Sequence, residues 1–324
     1  MSEVAVTSPL PGGALDRLAK RHTVRVRPKG PALAGRELIE FAGAAEALVC
    51  LLADRVAAEV FALCPRLVLV ANYAVGVNNI DLEAARTSGV WVSNTPDVLT
   101  DATADLALSL ILAVARRVVE GDRLVRSGGF SGWKPDLLLG AGLQGKTLGI
   151  VGMGRIGRAV ARRASGFGMW VCYYSRREVP PLDGAGAECV PTLDALIARS
   201  NVLSLHCPLT PQTRHLLDER RLALLPRGAI VVNTSRGEVV DEEALARAIA
   251  SGHLGGVGLD VYEREPEVHP GLLGRSDVVL LPHLGSATGE TRAAMADLAV
   301  DNVLAVLAGK PPLTPVVKPL VPRS

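Results

Sequence analysis

Aromatic residues are scarce in this chain of 324. Four Phe, four Tyr and three Trp make up 3% of it. Single-stranded nucleic acid is held largely by bases stacked on aromatic rings, so this scarcity argues against such a platform. Excess charge is missing as well. The 35 basic and 33 acidic side chains leave +2, too little for an electrostatic footprint on nucleic acid. The five cysteines, Cys50, Cys64, Cys172, Cys189 and Cys207, are odd in number, scattered and without a C-x-x-C pair. That argues against a disulfide framework or zinc site and for a reducing compartment, so we expect a cytoplasmic protein with no metal. Long apolar runs are absent too. The longest, residues 106–114, contains Ser109 and is too short to cross a bilayer, so no membrane association is expected. Met1-Ser2-Glu3-Val4 has no basic region followed by an apolar run, so no signal peptide is expected. The tail Leu320-Val321-Pro322-Arg323-Ser324 reads as a protease site left by expression or as native chain, and carries no functional weight.

What is present is ordinary in bulk and specific in detail. Hydrophobic residues are 48% and charged residues 21%, as in a globular enzyme, and the length suffices for two cores. Residues 1–99 alternate strand and helix patterns. Strands are expected at 4–6, 47–52, 67–71 and 90–92, with a helix over 10–19. A longer helix is expected to start near Thr100 or Asp101 as N-cap and to run through Leu106, Leu110 and Val114. Later strands are expected at 202–205, 229–232, 256–259 and 278–281. A last helix over 288–308 would be stopped by Pro311-Pro312. Such alternation implies parallel sheets with helices on both faces.

The most informative segment is Leu148-Gly149-Ile150-Val151, then Gly152-Met153-Gly154-Arg155-Ile156-Gly157, then a helical pattern over 158–167. Strand, glycine turn and helix together define a dinucleotide site. Gly152 makes the tight turn, Gly154 lets the backbone approach a pyrophosphate, and Gly157 lets helix and strand pack closely. Arg155 and Ile156 open the helix whose free N–H groups would hold the anion. The following strand, Trp170-Val171-Cys172-Tyr173-Tyr174, ends in Ser175-Arg176-Arg177. A carboxylate there would bind the ribose 2′-hydroxyl of NAD. Two guanidiniums instead suit a 2′-phosphate, so NADP(H) is expected, with NAD(H) the weaker alternative.

Three residues beyond later strand ends stand out: Arg236 in Asn233-Thr234-Ser235-Arg236-Gly237, Glu265 in Tyr262-Glu263-Arg264-Glu265-Pro266, and His283 in Leu281-Pro282-His283-Leu284. Ligands of open parallel sheets bind at those ends. Taken singly, each is more often a surface charge or a cap. Taken as an ordered set behind a dinucleotide turn, they match hydride transfer to a 2-oxo acid. Arg236 offers a fork to the carboxylate and polarises the carbonyl. His283 is the acid that protonates the oxygen. Glu265 orients the ring and favours the imidazolium. Asp260 is a rival partner for His283. His22, His206, His215, His253 and His269 read as structural or solvated, and His206 is the best decoy because it also follows a strand.

Val75-Gly76-Val77-Asn78-Asn79-Ile80-Asp81, Asn94-Thr95-Pro96-Asp97-Val98-Leu99-Thr100, the glycine turn, His206-Cys207-Pro208-Leu209-Thr210, Asn233-Thr234-Ser235-Arg236-Gly237 and Pro282-His283-Leu284-Gly285-Ser286 carry a resemblance along nearly the whole chain. The chain resembles the D-isomer-specific 2-hydroxyacid dehydrogenases. Within them it is most similar to glyoxylate/hydroxypyruvate reductases, through 96–101 and 174–177. The resemblance implies an α/β protein of two doubly wound parallel-sheet domains. A Rossmann-type nucleotide domain (100–285) would be inserted into a discontinuous flavodoxin-like substrate domain (1–99 and 286–324). It implies Val75 and Gly76 amides on the substrate carboxylate. It places Thr103, Cys207, Pro208, Thr213, Thr234, Ser235, Asp260 and Gly285 at the cofactor. It implies a homodimer in which Trp133 reaches the partner's substrate pocket or anchors the interface. The activity it implies is NADPH-dependent reduction of glyoxylate and hydroxypyruvate to glycolate and D-glycerate. The alternatives are a D-2-hydroxyacid dehydrogenase for a bulkier acid and a dinucleotide-sensing protein without turnover.

Overall fold

The computed structural model describes residues 1–177, 179–180 and 186–323. The chain divides into two compact units, residues 1–99 with 286–324, and residues 100–285. Among the described residues the strands are β1 (Glu3–Val6), β2 (Thr23–Val26), β3 (Ala47–Leu51), β4 (Leu69–Tyr73), β5 (Trp91–Ser93), β6 (Thr147–Val151), β7 (Trp170–Tyr174), β8 (Ala187–Cys189), β9 (Val202–Leu205), β10 (Ala229–Asn233), β11 (Leu254–Leu259), β12 (Val278–Leu280) and β13 (Pro315–Val317).

The second unit carries the sheet β12-β11-β10-β9-β6-β7-β8, parallel throughout. Helices cover both faces, so its inner strands must be apolar on both sides. Residues 202–205 and 229–233 are buried without interruption. One core cluster contains Leu203, Val231 and Val257, and a second contains Leu148, Ile150 and Val160. Shortening one of these leucines to Ala costs about 2–5 kcal/mol, which keeps the strand ends fixed. The order reverses between β6 and β9, the place where an open α/β sheet offers its ligand crevice.

The first unit carries the sheet β13-β5-β4-β3-β1-β2. Five strands are parallel and β13 alone runs antiparallel, against β5. The expected α/β architecture with two mainly parallel sheets is therefore present. Three edge strands, β2, β8 and β13, lack the apolar run that exposes a central strand in sequence, and were not expected. β4 begins two residues later than expected and runs on to Tyr73.

The helices correct two further expectations. Thr100 and Asp101 do not cap their helix; they lie in the first turn of Thr100–Ala115. The chain then breaks at Arg117, where φ is 51°, and a separate helix Val118–Arg126 follows. The last helix, Gly289–Leu307, is capped by the Thr288 hydroxyl, which accepts from the Thr291 amide at 3.1 Å. It ends at Gly309, with φ 75° and the Lys310 amide on the Ala305 carbonyl, before either proline is reached. The tail is part of the first unit. The Arg323 guanidinium donates to the carbonyls of Phe61, Cys64 and Leu67 at 2.9–3.1 Å, and its amide to Gly89 at 2.9 Å. Ser324 lies outside the described residues. No described helix is long and apolar enough to cross a membrane.

Candidate active site

The glycine turn sits at the end of β6. Gly152 has φ 96°, and a Cβ there would come within 2.8 Å of the His206 carbonyl. A Cβ on Gly157 would lie 2.2 Å from the Gly152 carbonyl, so helix and strand approach too closely for any side chain. Gly154 differs: a Cβ there would meet nothing within 4 Å. Space left open at this one glycine is what a ligand's approach requires. The helix Arg155–Ser165 begins at Gly154 with no side-chain cap and no acid in its first turn. The Ile156 and Gly157 N–H groups of its first turn are therefore available to an anion. The Thr234 hydroxyl, buried at the end of β10, has no partner among the described residues. A buried hydroxyl is rarely left so, and a bound polar group would satisfy it. These features fit a dinucleotide.

Ser175, Arg176 and Arg177 follow β7; the serine is half-buried and both arginines are exposed. At β9 the next loop starts. Burial pushes the Cys207 thiol up to about 11, against the pull of its backbone hydrogen bond and the Arg176 charge, so it is no nucleophile at neutral pH. His206 contacts the Ser204 hydroxyl at 2.8 Å, and burial pulls its imidazole down to about 4. It stays neutral, as a structural histidine should. Thr213 shapes the loop: its hydroxyl donates to the Pro208 carbonyl and accepts from the Thr210 amide, both at 2.7 Å.

Beyond β10 the buried Asn233 amide builds the turn that carries Arg236. Its Nδ2 donates to the Arg236 carbonyl at 2.8 Å, and its Oδ1 accepts from the Ser235 amide and hydroxyl at 3.0 and 2.8 Å. Arg236 is half-buried, and its guanidinium donates to the Ser235 carbonyl at 2.7 Å. Burial lowers its pKa, while Glu265 and Glu238 oppose that shift. Gly237 is forced by packing, since a Cβ would lie 1.8 Å from the Tyr262 carbonyl carbon.

Glu265 and His283 meet. The imidazole Nδ1 lies 3.0 and 3.2 Å from the two carboxylate oxygens, leaving Nε2 outside that pair. Burial alone would raise the Glu265 carboxyl. The His283 hydrogen bond and charge, the Tyr262 amide and Arg236 outweigh it and hold the carboxyl below its ordinary range. His283 stands at φ 54°, a conformation that costs a non-glycine residue about 1–3 kcal/mol unless its surroundings impose it. Asp260 imposes it. Its carbonyl accepts from the His283 amide at 3.0 Å, and its carboxylate accepts from the Leu284 and Gly285 amides at 2.6 and 2.8 Å. Asp260 therefore grips the backbone after His283, and Glu265 holds the ring. The Tyr262 hydroxyl fixes the other side, donating to the Leu281 carbonyl at 2.8 Å. The Thr103 hydroxyl donates to the Gly285 carbonyl at 2.9 Å.

In the first unit, three successive carbonyls around Val75 and Gly76 are occupied. Ala74 accepts from the Thr95 amide at 2.9 Å, Val75 from the Asn94 side chain at 2.8 Å, and Gly76 from the Asn72 side chain at 2.7 Å. Asn79 in turn donates to Asn72 Oδ1 at 3.2 Å and to the Leu51 and Asp54 carbonyls. The Val75 and Gly76 amides have no acceptor among the described residues. Trp133 is 82% exposed in the loop after Val118–Arg126. Asn233, Tyr262, Asn72 and Asn94 escaped the sequence reading. Their only signal was a polar residue at the end of an apolar strand.

A mostly parallel two-unit α/β fold, a dinucleotide turn at a switch point and a carboxylate-paired histidine beyond β12 describe a nicotinamide-dependent oxidoreductase. The profile of the D-isomer specific 2-hydroxyacid dehydrogenase NAD binding domain matches residues 108–285. The chain belongs to that family. It is 46% identical over 317 residues to a glyoxylate reductase of Thermococcus litoralis, covering 96% of this chain and 95% of that one. The crystal structure of the TT0316 protein from Thermus thermophilus superposes with a TM-score of 0.92 at 49% identity, covering 97% of this chain and all of that one. The NADPH-dependent glyoxylate/hydroxypyruvate reductase of Sinorhizobium meliloti, in complex with NADP and malonate, gives 0.87 at 33% identity over 100% of this chain and 99% of that one.

Proposed function

We propose that this enzyme reduces glyoxylate and hydroxypyruvate to glycolate and D-glycerate with NADPH. The observation that carries the reading is the Glu265–His283 pair, held in a strained backbone by Asp260 and set in the same unit as an uncapped dinucleotide helix. The cofactor, when bound, supplies the hydride. Arg236 holds the substrate carboxylate and polarises the keto oxygen. His283 delivers the proton to that oxygen from Nε2, while Glu265 on Nδ1 keeps the ring aimed. Hydride at carbon and proton at oxygen together convert the carbonyl, an aldehyde in glyoxylate and a ketone in hydroxypyruvate, to the hydroxyl. On the first unit, the free Val75 and Gly76 amides suit a carboxylate.

Ser175, Arg176 and Arg177 support NADP(H) over NAD(H), since none of them repels a 2′-phosphate. Cys207, Pro208, Thr213, Ser235, Asp260 and Gly285 shape the walls around the cofactor, and Thr234 offers it a hydroxyl. Val118, Val125, Phe130, Trp133 and Leu139 expose an apolar stretch suited to a second copy of the chain, so the enzyme is a homodimer.

Initial rates of NADPH and NADH oxidation with glyoxylate, hydroxypyruvate and pyruvate test this. Fast NADPH oxidation with the first two and little with pyruvate is expected. Activity with NADH alone overturns the cofactor assignment, and silence with all three overturns the substrate. Ser175→Asp with Arg176→Ala should reverse the cofactor preference.

A further inference from the structure

His215 lies outside the proposed reacting groups, yet it touches the segments that carry two of them. It stands in the loop after β9, at φ 47°. Its backbone amide donates to the Glu238 carbonyl at 2.8 Å, two residues beyond Arg236. Its imidazole Nε2 lies 2.7 Å from Glu263 Oε1, two residues before Glu265. The loop around it is itself fixed by Thr213, two residues earlier.

The Glu263 end of this bridge is anchored a second time. The Glu263 amide donates to Glu242 Oε1 at 2.7 Å, and Glu242 is buried. The Glu242 amide returns a longer bond to Glu263 Oε2 at 3.5 Å, and Arg214 adds a weak contact at 3.4 Å. Glu263 is only 17% exposed in its side chain, so its carboxylate is held rather than loosely solvated. The Arg236 turn meets the same segment through Gly237, which packs on Tyr262. Three loops from three strand ends therefore meet at one residue, His215, through its backbone amide and its ring.

We propose that His215 is a positioning residue. Its backbone holds the turn of Arg236 and its ring holds the segment of Glu265, so that one residue links the two and its ring completes the link. The left-handed backbone supports this. A non-glycine residue is held there only by its surroundings, and here the holding bonds are those to Glu238 and Glu263. Displacing a reacting group by a fraction of its working distance costs rate far more than it costs folding.

The proposal rests on the reductase reading, and the test separates the two. His215→Ala, His215→Gln, Glu263→Ala and the His215→Ala/Glu263→Ala double variant are compared with wild type in kcat, KM, the pH profile of kcat/KM, NADPH affinity and Tm. His215→Ala is expected to lower kcat about tenfold at saturating NADPH and to shift the pH profile, with NADPH affinity within about twofold. His215→Gln, which can still donate to Glu263, should recover most of the rate. The double variant should be no slower than Glu263→Ala, because both remove one bond. If His215→Ala does not fold, Glu263→Ala breaks the same bond from the other side and carries the test. An unchanged kcat and pH profile in an active wild-type background overturns the proposal alone, and so does a loss confined to Tm. Wild-type silence toward every 2-oxo acid overturns the reductase reading, and the proposal with it.

Discussion

Both units present a polar turn beyond the ends of their strands, and they build it in opposite ways. In the first unit side chains hold backbone. Asn72 and Asn94 occupy the carbonyls of Gly76 and Val75, and the groups left free are main-chain amides. In the second unit the backbone is gripped so that side chains can act. Asp260 and Tyr262 fix the chain on either side of His283, and the groups left to work are an imidazole and a guanidinium. A backbone donor cannot change protonation state and is suited to holding an anion. An imidazole can transfer a proton. The two turns therefore differ in kind, one fit for recognition and one for chemistry.

Removing the proposed proton donor tests that division most severely. His283→Ala should lower kcat by about 10²- to 10⁴-fold, with NADPH affinity little changed in a fluorescence titration. Turnover within tenfold of wild type would remove His283 from the reaction. Arg236→Ala deletes the proposed fork for the substrate carboxylate. It should raise KM for glyoxylate by about 10- to 100-fold, the range for a hydrogen bond to a charged group. An unaltered KM would refute the carboxylate fork.

The glycine turn provides an internal contrast. Gly157→Ala forces a Cβ to 2.2 Å from a carbonyl and should cost about 1–3 kcal/mol of stability, read as a lower Tm. Gly154→Ala enters open space, so Tm should hold while NADPH binding weakens. Equal Tm losses in both variants would mean that Gly154 serves the fold rather than a ligand. In the first unit, Asn72→Ala should raise KM several-fold and leave NADPH affinity alone. A change in NADPH affinity would break the division of labour between the turns.

The same contrast governs what could be read from the chain. Arg236, Glu265 and His283 stand out in the sequence because the role proposed for them lies in their side chains and each follows an apolar strand. The central strands were legible because a parallel sheet covered on both faces demands unbroken apolar runs. β13 was not, because Pro315-Val316-Val317 pairs with β5 only after the chain has returned from the last helix. At the break near Arg117 the Ala115 carbonyl accepts from the Ala141 amide at 2.8 Å, a partner that no periodicity reports. Asn72 and Asn94 act through carbonyls they touch in space, and a lone asparagine at a strand end has no signature of its own. His215 reads as structural or solvated in the sequence for the same reason, since its contacts are to Glu238 and Glu263, both far along the chain.

The smallest effect concerns the Glu265 carboxyl and has a definite sign. Burial raises its pKa, but its bonds to His283 and Tyr262 and the Arg236 charge bring it below the ordinary value of about 4.3. A carboxyl whose pKa is lowered by folding favours the folded state once it is ionised. Its contribution is full above about pH 4.3 and is lost as pH falls through the lower folded value. Glu265→Gln removes that contribution. The Tm difference between wild type and Glu265→Gln should therefore be largest at neutral pH and close on acidification below about pH 4. A difference that widens with acid would show that burial, not the His283 pair, governs this carboxyl. Glu265 would then belong with the passive supports, and the contrast between the two turns would narrow to the histidine itself.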